Sequence, residues 1–183
     1  MTWSSKDISL TAMLGAVSAA SRVPFAAIPS LKPCTFIVGA AGYVFGPVKG
    51  FAVGALTAVV SGLFFGLGPW VLFQLIAWGL AGVFFAFLGK AFGRSNSRRA
   101  VIILAAFGFL WGYVFGFITN LWFVTAFGFP LTLKSVIAAQ AASFWFDTVH
   151  AASNAGFFLV FGGRVIAILE RFRRRLFLSA SVK

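Results

Sequence analysis

Val71 to Phe92 reads VLFQLIAWGLAGVFFAFLGKAF, with one amide, Gln74, and one charge, Lys90. A helix of about 20 apolar residues crosses the roughly 30 Å hydrocarbon core of a bilayer, and this run is long enough to do so. Working outward, similar windows lie at 8–28, 51–67, 100–127 and 136–168, and a shorter one at 35–45. The intervals carry turn chemistry: Pro29-Ser30-Leu31-Lys32-Pro33, Gly46-Pro47-Val48-Lys49-Gly50, Gly66-Leu67-Gly68-Pro69, Gly93-Arg94-Ser95-Asn96-Ser97 and Gly128-Phe129-Pro130. The reading is one all-α integral membrane domain over 1–183 with six transmembrane helices. Segments two and three are its weak part, since an eleven-residue stretch barely reaches across and a tilted or broken helix would serve there.

Composition agrees. Hydrophobic residues make up 61% of the 183 and charged residues 10%, with a mean hydropathy of +0.99, against roughly 45–50% apolar content in soluble domains. The N-terminal MTWSSKDIS leads directly into a long apolar stretch, so no removable signal peptide is expected. One cysteine, Cys34, and one histidine, His150, exclude an internal disulfide, a cysteine metal cluster and a multi-histidine zinc site.

The net charge of +12 would suggest nucleic acid in a soluble protein, but its placement argues against that partner. Lys90, Arg94, Arg98 and Arg99 form one cluster, and Arg171, Arg173, Arg174 and Arg175 another, each just beyond an apolar run. Both termini are expected in the cytoplasm. That puts Lys6, Lys49, Lys90, Arg94, Arg98, Arg99, Arg164, Arg171, Arg173, Arg174, Arg175 and Lys183 inside, twelve of the fifteen basic residues. Lys32 and Lys134 fall outside, and Arg22 lies within the first span, where it must find a partner such as Asp147, a carbonyl or water. No internal repeat and no Walker A sequence is present, so energy for any pumping comes from elsewhere.

The last span holds Gln140, Ser143, Asp147, His150 and Asn154 at steps of 3, 4, 3 and 4, which share one helical face. Such a stripe turns toward protein or a water-filled cavity, because unpaired polar groups in hydrocarbon cost several kcal/mol. It is either a hydrogen-bonded seam between helices or the lining of a ligand cavity, and Asp147 is the only acidic residue inside any span. Trp70, Gln74 and Trp78 of span four, Asn120 and Trp122 of span five and Trp145 of span six are expected at similar depth. Together they would make an aromatic, amide-rich pocket open to the exterior. Trp70 and Trp122 read equally well as interfacial belt residues. In span one, Ala12, Gly15, Ala16, Ala19 and Ala20 form small-xxx-small pairs that admit close approach of another helix, in the same chain or in a partner.

Several of these stretches resemble the S components, the substrate-binding subunits, of energy-coupling factor (ECF) vitamin transporters. They are the Ala12/Ala16 pair, Gly42-Tyr43-Val44-Phe45-Gly46-Pro47 with Gly50 and Gly54, Gly66-Leu67-Gly68-Pro69-Trp70 with Gln74 and Ala77-Trp78-Gly79, Asn120-Leu121-Trp122, and Phe146-Asp147 with His150-Ala151 and Asn154. The resemblance covers nearly the whole chain. It implies a multi-pass protein of a prokaryotic cell membrane that binds a vitamin from outside, without enzymatic activity or a permanently bound cofactor. It also implies docking, through Ala12, Gly15, Ala16 and Ala20, on a transmembrane coupling subunit joined to two ATPase subunits that use ATP. The block at Gly68-Pro69-Trp70 and the Asp147/His150/Asn154 stripe are most similar to the cobalamin or corrinoid subgroup, although Val71-Leu72-Phe73 departs from its pattern. Riboflavin, a queuosine precursor and thiamine are alternative ligands. An intramembrane enzyme using Asp147 and His150 as an acid/base pair, and an assembly subunit without a ligand, are alternatives of another class.

Overall fold

Helix α1 (Ser5–Ala20) begins where Ser4 caps it: Ser4 Oγ accepts the Asp7 amide at 3.3 Å, and the Asp7 carboxylate accepts the Ser4 amide at 2.9 Å. It stops short of Ile28. Pro24 has no amide to donate and disfavours helix at the residue before it, so Ser21 to Pro33 runs as turns around a single 3-10 turn at Val23–Phe25. Then follow α2 (Cys34–Phe45), α3 (Pro47–Phe65), α4 (Trp70–Ala91), α5 (Arg98–Ala126) and α6 (Leu133–Arg173), the last ending in a π-helical turn at Arg174–Leu178. The computed structural model describes residues 3–127 and 130–178. Gly128 and Phe129 of the expected break, and Lys183, lie outside the described residues.

Five helical segments are long and apolar enough to cross a membrane: Ser5–Phe25, Pro47–Phe65, Trp70–Ala91, Arg98–Ala126 and Leu133–Leu176. Helix α2 is the exception. Its 12 residues rise only about 18 Å, short of the bilayer core. It is instead the most enclosed helix of the bundle, packed against α3, α4 and α6, with Cys34, Thr35, Phe36 and Val38 to Val44 all buried.

Glycines let these helices meet backbone to backbone. A Cβ on Gly42 of α2 would lie 2.0 Å from the Gly82 carbonyl oxygen of α4, and one on Gly82 would lie 2.3 Å from the Gly50 carbonyl of α3. A single residue, Gly46 at φ +96°, joins α2 to α3 in a backbone region open to glycine, with Pro47 opening the next helix.

The chain's basic clusters gather at one end. There Lys49 pairs with Asp7 at 2.6 Å, Lys6 Nζ donates to Leu176 O at 3.1 Å, and Arg94 Nε donates to Val44 O at 3.0 Å. Tyr43 Oη donates to Ser95 O at 2.8 Å across the same end. The start of α1 and the end of α6 therefore lie together. The opposite end holds the turns after α1, the α3–α4 turn and the start of α6.

Candidate functional site

Loop 26–33 folds back into that opposite end and meets the polar stripe of α6. His150 is buried, and its Nδ1 lies 3.2 Å from Ser30 O while its Nε2 lies 3.2 Å from Thr35 Oγ1. A carbonyl only accepts, so Nδ1 carries the proton toward Ser30. Trp78 Nε1 donates to Thr35 Oγ1 at 3.2 Å, and the same hydroxyl is hydrogen-bonded to His150 Nε2. The imidazole thus completes a hydrogen-bonded relay from α4 through α2 to α6 and the loop. The Ser153 hydroxyl meets the Lys32 backbone on the same face.

The remainder of the stripe faces α5. Asp147 is 9% exposed, accepts from Ser143 Oγ at 2.6 Å and packs so closely on Gly116 that a Cβ there would collide with its carboxylate. Asn120 donates to Gln140 and, at 2.7 Å, to Ser143 Oγ. Asn154 is fully buried and donates to Gly108 O at 3.1 Å, while its Oδ1 has no hydrogen-bond partner among the described residues. Gln140, Ser143, Asp147 and Asn154 form a seam with α5, whereas His150 points into the relay. Asp147 and His150 have separate partners and do not bond to each other as an acid/base pair.

Trp78 is fully buried at the centre, with its ring 5.1 Å from Phe115. Trp70 and Trp122 are half-buried and meet edge to face at 5.5 Å, with Gln74 half-buried one turn along α4 from Trp70. Trp145 is 70% exposed and turns away. Two residues before Asp147 on a helix, it sits roughly 200° around the axis from it.

Sequence reasoning passed over the residues nearest the relay. Arg22 finds neither Asp147 nor a carbonyl. Its Nη1 donates to Ser61 Oγ at 2.6 Å, and its guanidinium rests 4.6 Å over Phe65 and 5.3 Å over Trp78. Lys32 Nζ sits 5.7 Å over Trp78 and 5.0 Å over Phe115. Burial, and next the charge of Arg22, bring the Lys32 ammonium down to about 8. A cavity of about 140 Å³ opens here, lined in part by Arg22, Ser30, Lys32 and Phe65. The available signal was Lys32 itself, a cation between two prolines that break the helix pattern.

On α1, Gly15 is buried against Leu56 of α3, whereas Ala12, Ala16 and Ala20 are exposed along the outer face.

The family model described as ECF transporter, substrate-specific component, matches residues 6–171. No match was found among curated proteins or among solved structures. The matched residues run from the first turn of α1 to the last turn of α6, taking in the relay, the seam and the exposed face of α1. The chain therefore belongs to the family of substrate-specific components of ECF transporters.

Proposed function

We propose that this chain captures a vitamin or vitamin precursor at the end of the bundle that holds Trp78, His150 and loop 26–33. It then delivers the ligand by docking on a transmembrane coupling subunit driven by two ATPases. The family match over residues 6–171 carries this reading. In it the chain crosses a prokaryotic cell membrane six times, with α2 as a pass sheltered inside the protein. Both termini are cytoplasmic, because the basic end takes the cytoplasmic side. The docking face is Ala12, Ala16 and Ala20, which are small, aligned and exposed, while Gly15 serves the packing of α1 on α3.

A corrinoid is the first ligand to test, on the resemblance at Gly66 to Trp70 and at Phe146 to Asn154; riboflavin, a queuosine precursor and thiamine follow. The protein is purified from cells grown in vitamin-rich medium and examined by native mass spectrometry for a co-purified molecule. A bound corrinoid supports both class and substrate, and another vitamin keeps the class alone. A reproducibly empty protein that also fails to bind the panel overturns the proposal.

Docking is tested by Ala16→Trp in cells that co-express the coupling module. Ligand binding by the isolated subunit is expected to stay within about 3-fold of the parent while ATP-dependent uptake is lost, because the bulky ring blocks helix approach but lies away from the ligand end. Loss of binding in the isolated subunit would count against this division of labour.

A further inference from the structure

Arg22 and Lys32 share the Trp78 ring, and neither has a counter-ion among the described residues. The ion pairs among the described residues involve Lys49, Arg173 and Arg174 but neither of these two. A guanidinium has five N–H donors, and the protein hydrogen bond to that of Arg22 is the one to Ser61. Among the described residues, Lys32 Nζ has aromatic faces beside it and no hydrogen-bond acceptor. Asp147 is the one carboxylate whose field reaches Lys32, and it is engaged by Ser143 and packed on Gly116. Both cations open on the same cavity, with Ser30 and Phe65.

Two like charges held together in an aromatic, half-buried setting repel each other and lose hydration, and ring contacts offset only part of that loss. A purely structural role would need neither the cavity nor the second cation. We propose that the ligand carries an anionic group, a carboxylate or a phosphate, which seats between Arg22 and Lys32 in this cavity. The assignment rests on the substrate-binding reading above and narrows it to a chemical class. Guanidinium suits such a group by its planar fork and ammonium by its point charge.

The test begins with the molecule released from the full-length chain in native mass spectrometry and extends to matched probes. Nicotinate against nicotinamide and pantothenate against panthenol examine a carboxylate. Cobalamin against cobinamide, which lacks the nucleotide phosphodiester, and riboflavin 5′-phosphate against riboflavin examine a phosphate. The expected result is a released molecule bearing one of these groups, whose neutral analogue binds the parent protein roughly 100-fold more weakly. Arg22→Gln and Lys32→Gln should weaken the anion by a similar factor with an unchanged size-exclusion profile, and Lys32→Arg should restore it.

Affinity should fall as pH rises through about 8 in the parent protein but stay flat in Lys32→Arg, since the free ammonium loses its proton there. The other titratable groups facing Lys32 are Arg22 at the end of α1, Cys34 on α2, and Asp147 and His150 on α6, while α4 and α5 present Trp78 and Phe115. A neutral or cationic ligand, or undiminished binding in Lys32→Gln, overturns the inference while leaving the substrate-binding reading intact. A chain that releases no molecule and binds neither these pairs nor thiamine or a queuosine precursor removes that reading, and the inference falls with it.

Discussion

Thr35 is the smallest member of the relay and the one whose loss leaves most undone. Replacing it by valine keeps the volume but strands the Trp78 indole N–H and His150 Nε2 in a buried site. A buried donor without a partner costs about 1–3 kcal/mol, so Thr35→Val should lower stability by about 2 kcal/mol in detergent-solubilised unfolding followed by tryptophan fluorescence. Thr125→Val is the control, since that exposed hydroxyl only bonds back to its own helix. Equal effects would remove the relay's claimed role. Lys32 gives a second prediction, with a sign that can be worked out. Its folded-state value near 8 lies below the ordinary 10.5, so the unfolded chain binds the extra proton between those limits. Stability of the ligand-free protein should therefore rise from pH 8 to 10.5, by about 1 kcal/mol after allowance for its partial exposure, and Lys32→Met should abolish that slope. The spacing of residues on α6 revealed that Gln140 to Asn154 share a face. It could not reveal what that face meets, because helical periodicity carries no information about neighbours. Lys32 was read for its sidedness and Arg22 as a cation within span one in need of a partner, and the local role of each depends on loop 26–33 turning inward, which no periodic pattern encodes.

Helix α2 shows where hydropathy stops being informative. An apolar run too short for the bilayer reads the same whether it lies at an interface or inside a bundle, and only the glycines at its contacts distinguish the two. Gly82→Ala should be severely destabilising, by about 3 kcal/mol or more, because the new methyl would meet the Gly50 backbone, which has no side chain to rotate away. Gly156→Ala should stay within about 1 kcal/mol of the parent, since nothing lies within 4 Å of its added Cβ and helix propensity favours alanine. Thermal unfolding of the two variants decides the matter, and similar midpoints would refute the close-packed account of α2, α3 and α4. The motif glycines at 42, 50 and 54 thereby acquire a physical reason: all three lie where backbones touch. The small residues of α1 divide differently. Gly15 faces inward and the three alanines outward, a distinction set by the angle of α1 on α3 and absent from the small-xxx-small pattern.

At the scale of the whole molecule, an apolar belt and a charge gradient argue for one orientation. Leu63, Phe64, Leu72, Leu110 and Val160 are exposed on four different helices, a surface suited to lipid and unsuited to water. Lys90, Arg98, Arg99 and Arg171 to Arg175 cap one end, so translocation of that end would carry its basic residues across the membrane against the positive-inside bias. Two single cysteines read this directly in a Cys34→Ala background. Asn96→Cys, in the exposed α4–α5 turn at the basic end, should resist a membrane-impermeant maleimide in intact cells and react once the membrane is opened. Leu131→Cys, exposed just before α6 at the opposite end, should react in intact cells. The reverse pattern would invert the orientation and place the Arg22 and Lys32 cavity on the cytoplasmic face, where capture of an external ligand by that cavity fails. Labelling of both positions in intact cells would show that the α5 segment returns without crossing. That would contradict the six-pass reading proposed above, in which the two ends that meet at Lys6 and Leu176 lie on one side.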